Sequence, residues 1–147
     1  MNPQQKLQDK WGSSLDGGFL VFPVLLLKRQ KELDLDSTEL VVLLNLLAAW
    51  WDVDKLPFTR AITIAKRIGV TPRTVQRCLE KLEKRGLILR IRSTTGHGVE
   101  TRVVTEYDLE PTVLKLKQLA EAPEVRLQEA VRKTAQHQRM LERQELA

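Results

Sequence analysis

Arg73, Thr74, Gln76 and Arg77 stand within a five-residue run whose side chains suit the edges of DNA bases. A guanidinium can fork to the N7 and O6 of guanine, an amide can pair with adenine, and a threonine methyl can touch that of thymine. Around them, Arg60, Lys66, Thr71, Lys81 and Lys84 supply the charged and hydroxyl donors that phosphate oxygens accept. The chemistry on offer is non-covalent recognition of a polyanion. A basic helix face can equally be a solvated surface and nothing more, so the elements that carry these residues must decide.

Those elements can be read from punctuation and periodicity. Thr59 can cap a first helix, Gly69 can take the left-handed conformation that stops it, and Thr71 with Pro72 supplies the N-cap and first residue of a second. Ile62, Ala65 and Ile68 fall on one face of the first helix, and Val75, Leu79 and Leu82 on one face of the second, where a small core can join them. The opposite face of the second helix then carries Arg73, Thr74, Gln76, Arg77, Lys81 and Lys84, and its N-terminus itself attracts phosphate. Gly86 ends that helix. Leu87, Leu89 and Ile91 alternate with Ile88, Arg90 and Arg92, Gly96-His97-Gly98 is a turn, and Thr101, Val103 and Thr105 alternate with Arg102, Val104 and Glu106. This is the pattern of a β-hairpin.

From Leu40 to Tyr107, about half of the 147 residues, the chain resembles the winged-helix domains of bacterial, phage and plasmid DNA-binding proteins. The resemblance rests on Thr71-Pro72-Arg73-Thr74-Val75-Gln76-Arg77 for the recognition helix and on Leu82-Glu83-Lys84-Arg85-Gly86-Leu87-Ile88 for its exit. It implies an α+β fold, mainly α with a small β-sheet: a winged helix-turn-helix over residues 19–107 with a C-terminal helical extension. Arg92, His97 and Arg102 would then serve the wing, beside the DNA backbone or minor groove. Such motifs speak for a fold and for DNA binding more than for a biological role.

The remaining segments frame this unit. Residues 1–18 are polar and glycine-containing and read as a flexible arm. Phe19 to Phe22 can form a short strand that joins the hairpin, with Pro23 opening a helix to about Lys31; the alternative is one strand from Phe19 to Leu27 with Pro23 at an edge. Asp36 or Ser37 caps a strongly apolar helix built on Leu40, Val41, Leu43, Leu44, Leu46 and Leu47, the expected centre of the core, with Trp50 and Trp51 packing at its end. Residues 108–147 read as a helical extension, interrupted at Pro123, with Val113, Leu114, Leu116, Leu119 and Ala120 on its first stripe. Either the long terminal helix sits in solvent or it pairs with a second copy, forming a homodimer that sets two winged helices on a two-fold DNA site.

Charge is segregated along the chain. Residues 59–102 hold 11 basic and 3 acidic side chains (net +8), against 6 and 8 (net −2) in residues 1–58 and 7 and 8 (net −1) in residues 103–147. Positive charge is concentrated where counterion release from DNA needs it. With 42% hydrophobic residues the chain can bury one proper core. Its single cysteine, Cys78, sits mid-helix beside the apolar stripe, permits no intramolecular disulfide and suggests no zinc site. Asp52-Val53-Asp54-Lys55 lacks the glycine and terminal glutamate of a calcium loop. The longest apolar run is too short to span a bilayer, which points to a soluble, cytoplasmic protein with no membrane partner. His97 and His137 have no pattern-placed nucleophile, and there is neither a phosphate-binding glycine loop nor an HExxH motif, so no enzyme activity, cofactor or metal is expected.

Together these features point to sequence-specific binding of double-stranded DNA by a repressor-like transcriptional regulator, with helix 71–85 in the major groove and wing 87–107 on the backbone or minor groove. The resemblance extends to the winged helices of plasmid and phage replication initiators, whose terminal helices recruit a helicase or loader, so a replication initiation protein is the alternative. A second alternative is a protein-interaction winged helix that has lost DNA binding and uses Trp50, Trp51 or the terminal helix.

Overall fold

The computed structural model describes residues 2–146. It is an α+β fold, mostly helical with one small sheet: α1 (Pro3–Trp11), α2 (Leu25–Lys28), α3 (Ser37–Ala48), α4 (Ala61–Ile68), α5 (Pro72–Lys84), β1 (Leu89–Thr95), β2 (Arg102–Asp108), α6 (Glu110–Glu121) and α7 (Pro123–Glu145). β1 and β2 form an antiparallel pair in which Leu89 lies opposite Asp108 and Thr95 opposite Arg102.

α3 is the centre of the core, as its composition predicts. Asp36 caps it through a reciprocal box: its carboxylate accepts from Glu39 N at 2.7 Å while Asp36 N donates to Glu39 Oε1 at 3.3 Å. The Glu39 backbone N–H donated to its charged form holds the Asp36 carboxyl below its ordinary value. Leu40, Val42, Leu43 and Leu46 are buried against Val75, Cys78, Leu79 and Leu82 of α5. Leu87 and Ile88, in the turn after α5, are both fully buried, as are Leu26, Ile64 and Leu109. Each such side chain contributes about 1.5–3 kcal/mol relative to exposure.

Polar ties lock the helix ends to this core. Glu39, buried on α3, receives NH1 of Arg85, the C-cap residue of α5, and Arg85 Nε also reaches Asp34 at 3.3 Å. The buried Thr112 hydroxyl donates to the Leu87 carbonyl at 2.6 Å, and Lys115 Nζ to that of Arg85 at 2.7 Å. α6 is therefore clamped to the exit of α5. Tyr107 N donates to the Pro57 carbonyl at 3.1 Å, anchoring β2 to the segment ahead of α4.

Several expectations are corrected. The arm expected to be irregular contains α1, because Asn2 accepts from Gln5 N at 2.8 Å and Pro3 fits the first helical turn; no residue of that helix is buried. Phe19 to Phe22 forms no strand: these residues line an apolar cleft of about 470 Å³ with Trp50 and Leu116, and the sheet keeps two strands. The helix after Pro23 stops at Lys28, followed by turns in which Asp34 adopts φ +56°. Arg60, with no side-chain cap bond, occupies the N-cap of α4 in place of Thr59. On α4 the buried pair is Ile64 and Ala65, which leaves Ile62 half-exposed. The strand alternation also shifts, since Leu87 and Ile88 both plug the core ahead of β1 while Leu89 and Ile91 reach solvent.

Candidate nucleic-acid interface

α5 holds the residues expected from sequence to read bases on a face fixed by what lies behind it. Val75, Cys78, Leu79 and Leu82 are buried, whereas Arg73, Gln76, Arg77, Lys81 and Lys84 are exposed. The helix begins at Thr71, whose hydroxyl accepts from Thr74 N at 3.2 Å and lies 3.0 Å from the Thr74 hydroxyl. Both hydroxyls are thus engaged in the cap, which leaves the Thr74 methyl for outside contact. α5 carries no acid in its first turn but has Arg73 there. A cation at a helix N-terminus opposes the macrodipole by about 0.3–1 kcal/mol, so helix stability alone does not favour this placement.

The packing of α4 on α5 brings the α4 residues named from sequence to the same unit, with Arg60 at the α4 N-cap and Lys66 in its last turn, both exposed. The 11 basic residues of positions 59–102 then fall into two groups. Arg85 is held by Glu39 and Asp34. Arg90 is held by Glu83, through NH2 at 3.0 Å and its backbone N at 3.1 Å, and Arg67 NH1 donates to Asn45 Oδ1 at 3.2 Å. The other eight (Arg60, Lys66, Arg73, Arg77, Lys81, Lys84, Arg92 and Arg102) form no salt bridge among the described residues.

The hairpin divides the wing residues. Arg92 pairs across to Thr105 and Arg102 to Thr95, an odd offset along β1 that puts the two guanidinium groups on opposite faces of the ribbon. Arg90 shares the Arg92 face and ties it to α5 through Glu83. The Arg90 side chain, hydrogen-bonded to Glu83, holds that carboxyl below its ordinary value, and the reciprocal bond raises Arg90. His97 lies at the exposed tip, where Gly96 takes φ +93° and a Cβ would meet the Glu100 carbonyl oxygen at 2.5 Å. Glycine is required at that position.

This arrangement of helices and hairpin has a counterpart in a known family, and the match runs over residues 22–127, described as the DnaD N-terminal domain. The chain belongs to the DnaD N-terminal domain family. A crystal structure of the N-terminal domain of DnaD protein from Geobacillus kaustophilus HTA426 is similar at 25% identity and a TM-score of 0.55, over 88% of this chain and 99% of that one. No curated protein matches the chain. The DnaD-like span takes in every residue named above on α4, α5 and the hairpin, and leaves α1 outside. Among the described residues, no helix is long and apolar enough to cross a membrane.

Two features of this DnaD-type domain escape sequence reasoning. Glu80 is exposed on the line of α5 that carries Arg73, Arg77 and Lys84, and its carboxylate can accept from cytosine N4. Helical spacing from Arg73 and Arg77 could have found it. Trp51, read as packing, is exposed, as is Phe58 ahead of α4, whereas Trp50 packs against the core. Cys78 is buried, which raises its thiol pKa and removes it from surface chemistry.

Proposed function

We propose that this chain is a duplex-DNA-binding module of DNA replication, laying α5 in a major groove with the hairpin along the adjacent backbone. Membership of the DnaD N-terminal domain family supports the replication alternative over the transcriptional regulator favoured by the sequence resemblance. The observation that carries DNA binding is the division of cations. Arg85 and Arg90 are consumed by internal ion pairs and Arg67 is hydrogen-bonded to the neutral Asn45 amide, while eight others form no salt bridge among the described residues and are left for an outside anion.

In this reading Arg73, Gln76 and Arg77 meet base edges, helped by the Thr74 methyl, and Thr71 fixes the helix N-terminus. Arg60, Lys66, Lys81 and Lys84 hold phosphates, and Arg92, Arg102 and His97 serve the two faces and tip of the wing. α7 leaves Leu127, Val131, Met140 and Leu141 exposed, which supports pairing with a second copy.

Selection of bound duplexes from a random pool tests the proposal. Arg77→Ala is expected to cost about 1–3 kcal/mol and relax preference at one base position, while Lys84→Ala weakens all duplexes alike. Unchanged affinity and base preference in Arg77→Ala would overturn the readout role of α5.

A further inference from the structure

α5 carries two acids, Glu80 and Glu83, and only one has a structural task. Glu83 holds Arg90, accepting from its NH2 at 3.0 Å and from its backbone N at 3.1 Å. Glu80 is exposed and forms no salt bridge among the described residues, although Arg77 stands three positions before it and Lys84 four after, the spacings at which helical ion pairs ordinarily close. The helix dipole does not account for it either. Glu80 lies outside the first and last turns of α5, where such charges are felt.

Its position is the middle of the outward face. With about 3.6 residues per turn, Arg73, Arg77, Glu80 and Lys84 fall on one line, opposite the buried Val75, Cys78, Leu79 and Leu82. An anion drawn to that line meets a carboxylate in its midst. For a phosphate the contact is repulsive, whereas for a base edge the carboxylate is an acceptor with no hydrogen to donate. Guanine offers N7 and O6 and thymine O4 in the major groove, all acceptors, and adenine sets its N7 acceptor beside its N6 donor. Cytosine alone offers a donor and no acceptor.

We infer, on the footing that α5 enters a major groove, that Glu80 sets its base specificity by accepting from cytosine N4 and by opposing every register in which the line meets phosphate. The acid acts on both sides of discrimination. On the right pair it gains a charge-assisted hydrogen bond, and on any other it loses water without finding a partner. Arg77 and Glu80 are separated by about 4.5 Å along the helix axis, at ~1.5 Å per residue, against ~3.4 Å for each base pair. The cytosine therefore falls within about two base pairs of the position read by Arg77.

The test selects duplexes from a random pool with the full chain and its Glu80→Gln, Glu80→Ala and Arg77→Ala variants, then titrates labelled selected and scrambled duplexes by fluorescence anisotropy. Wild type is expected to select cytosine at one position. Glu80→Gln moves that position to adenine, because an amide can both accept from N6 and donate to N7. Glu80→Ala loses the preference there, and its ratio of selected to scrambled affinity falls by roughly 5- to 150-fold, the effect of one mismatched pair. Arg77→Ala relaxes a different, neighbouring position. If both Glu80 variants select the wild-type motif at the wild-type ratio while Arg77→Ala relaxes its own position, the role of Glu80 is overturned and the groove reading of α5 stands. If Arg77→Ala also selects the wild-type motif, or wild type binds no duplex at low salt, the reading of α5 fails and the role of Glu80 falls with it.

Discussion

Arg85→Met is expected to unfold the domain at markedly lower denaturant, although Arg85 lies in its most basic segment. Its NH1 is the partner of Glu39, whose side chain is 2% exposed at the junction of α3 and α5. Removing one member of a buried pair costs about 3–5 kcal/mol, because the other charge is left without solvent or partner. The Arg85 side chain is 26% exposed, so water can reach the vacated site and the lower end, about 3 kcal/mol, applies. Its contact with Asp34, which is 83% exposed, adds less than about 1 kcal/mol. Against the usual ~5–15 kcal/mol of a domain, the loss is large. Urea unfolding followed by circular dichroism should show a lower midpoint with an unchanged slope. Glu39→Gln combined with Arg85→Met should recover most of the loss, since the amide oxygen can still accept from Asp36 N and no charge is stranded. A midpoint for Arg85→Met equivalent to less than ~1 kcal/mol, or a double variant weaker than the single, would refute the reasoning.

Other expectations follow from the same geometry. Thr71→Ala removes the α5 cap and is expected to lower stability by about 0.5–2 kcal/mol in thermal melting, with duplex affinity falling as the helix start frays. Gly96→Ala forces a Cβ onto the Glu100 carbonyl, and amide chemical shifts should change around the hairpin tip while α3 and α5 keep theirs. Glu83 has a folded pKa below its ordinary 4.5, so its pairing with Arg90 stabilises the hairpin above that value and is lost as pH falls through the lower, folded value. Glu83→Gln should remove that part of the acid-side loss, read by hairpin amide exchange. Leu127→Glu with Leu141→Glu should abolish any self-association seen by sedimentation, and a dimer that survives both changes would place the contact elsewhere.

The helix-turn-helix and hairpin were legible because their signals are local. Thr71-Pro72, Gly69, Gly86 and the turn at Gly96-His97-Gly98 act within a few residues of themselves, and all hold their expected places. Asn2-Pro3 is the same cap-and-proline signal as Thr71-Pro72, but α1 buries no residue, so no apolar periodicity reinforces it. What sequence could not reveal depends on distant partners. Glu39 and Arg85 are 46 residues apart, and nothing local announces that they meet. A third strand at Phe19 needed a free sheet edge in reach, whereas Phe19 to Phe22 runs along the cleft beside Trp50. Arg92 and Arg102 both belong to the hairpin, yet their opposite faces follow from a register that only pairing fixes. The unpaired state of the α5 cations is likewise a property of three dimensions.

The central claim is that those unpaired cations meet DNA phosphates, and its most direct test is the salt dependence of duplex binding by wild type, Lys84→Gln and Lys117→Gln. Lys84 is on the exposed face of α5 and Lys117 on the exposed side of α6, so the two changes remove the same charge from different surfaces. The account predicts that Lys84→Gln reduces the slope of log K against log salt by about 0.9 and Lys117→Gln leaves it unchanged. Equal slopes for all three proteins, or no duplex binding at low salt, would contradict it.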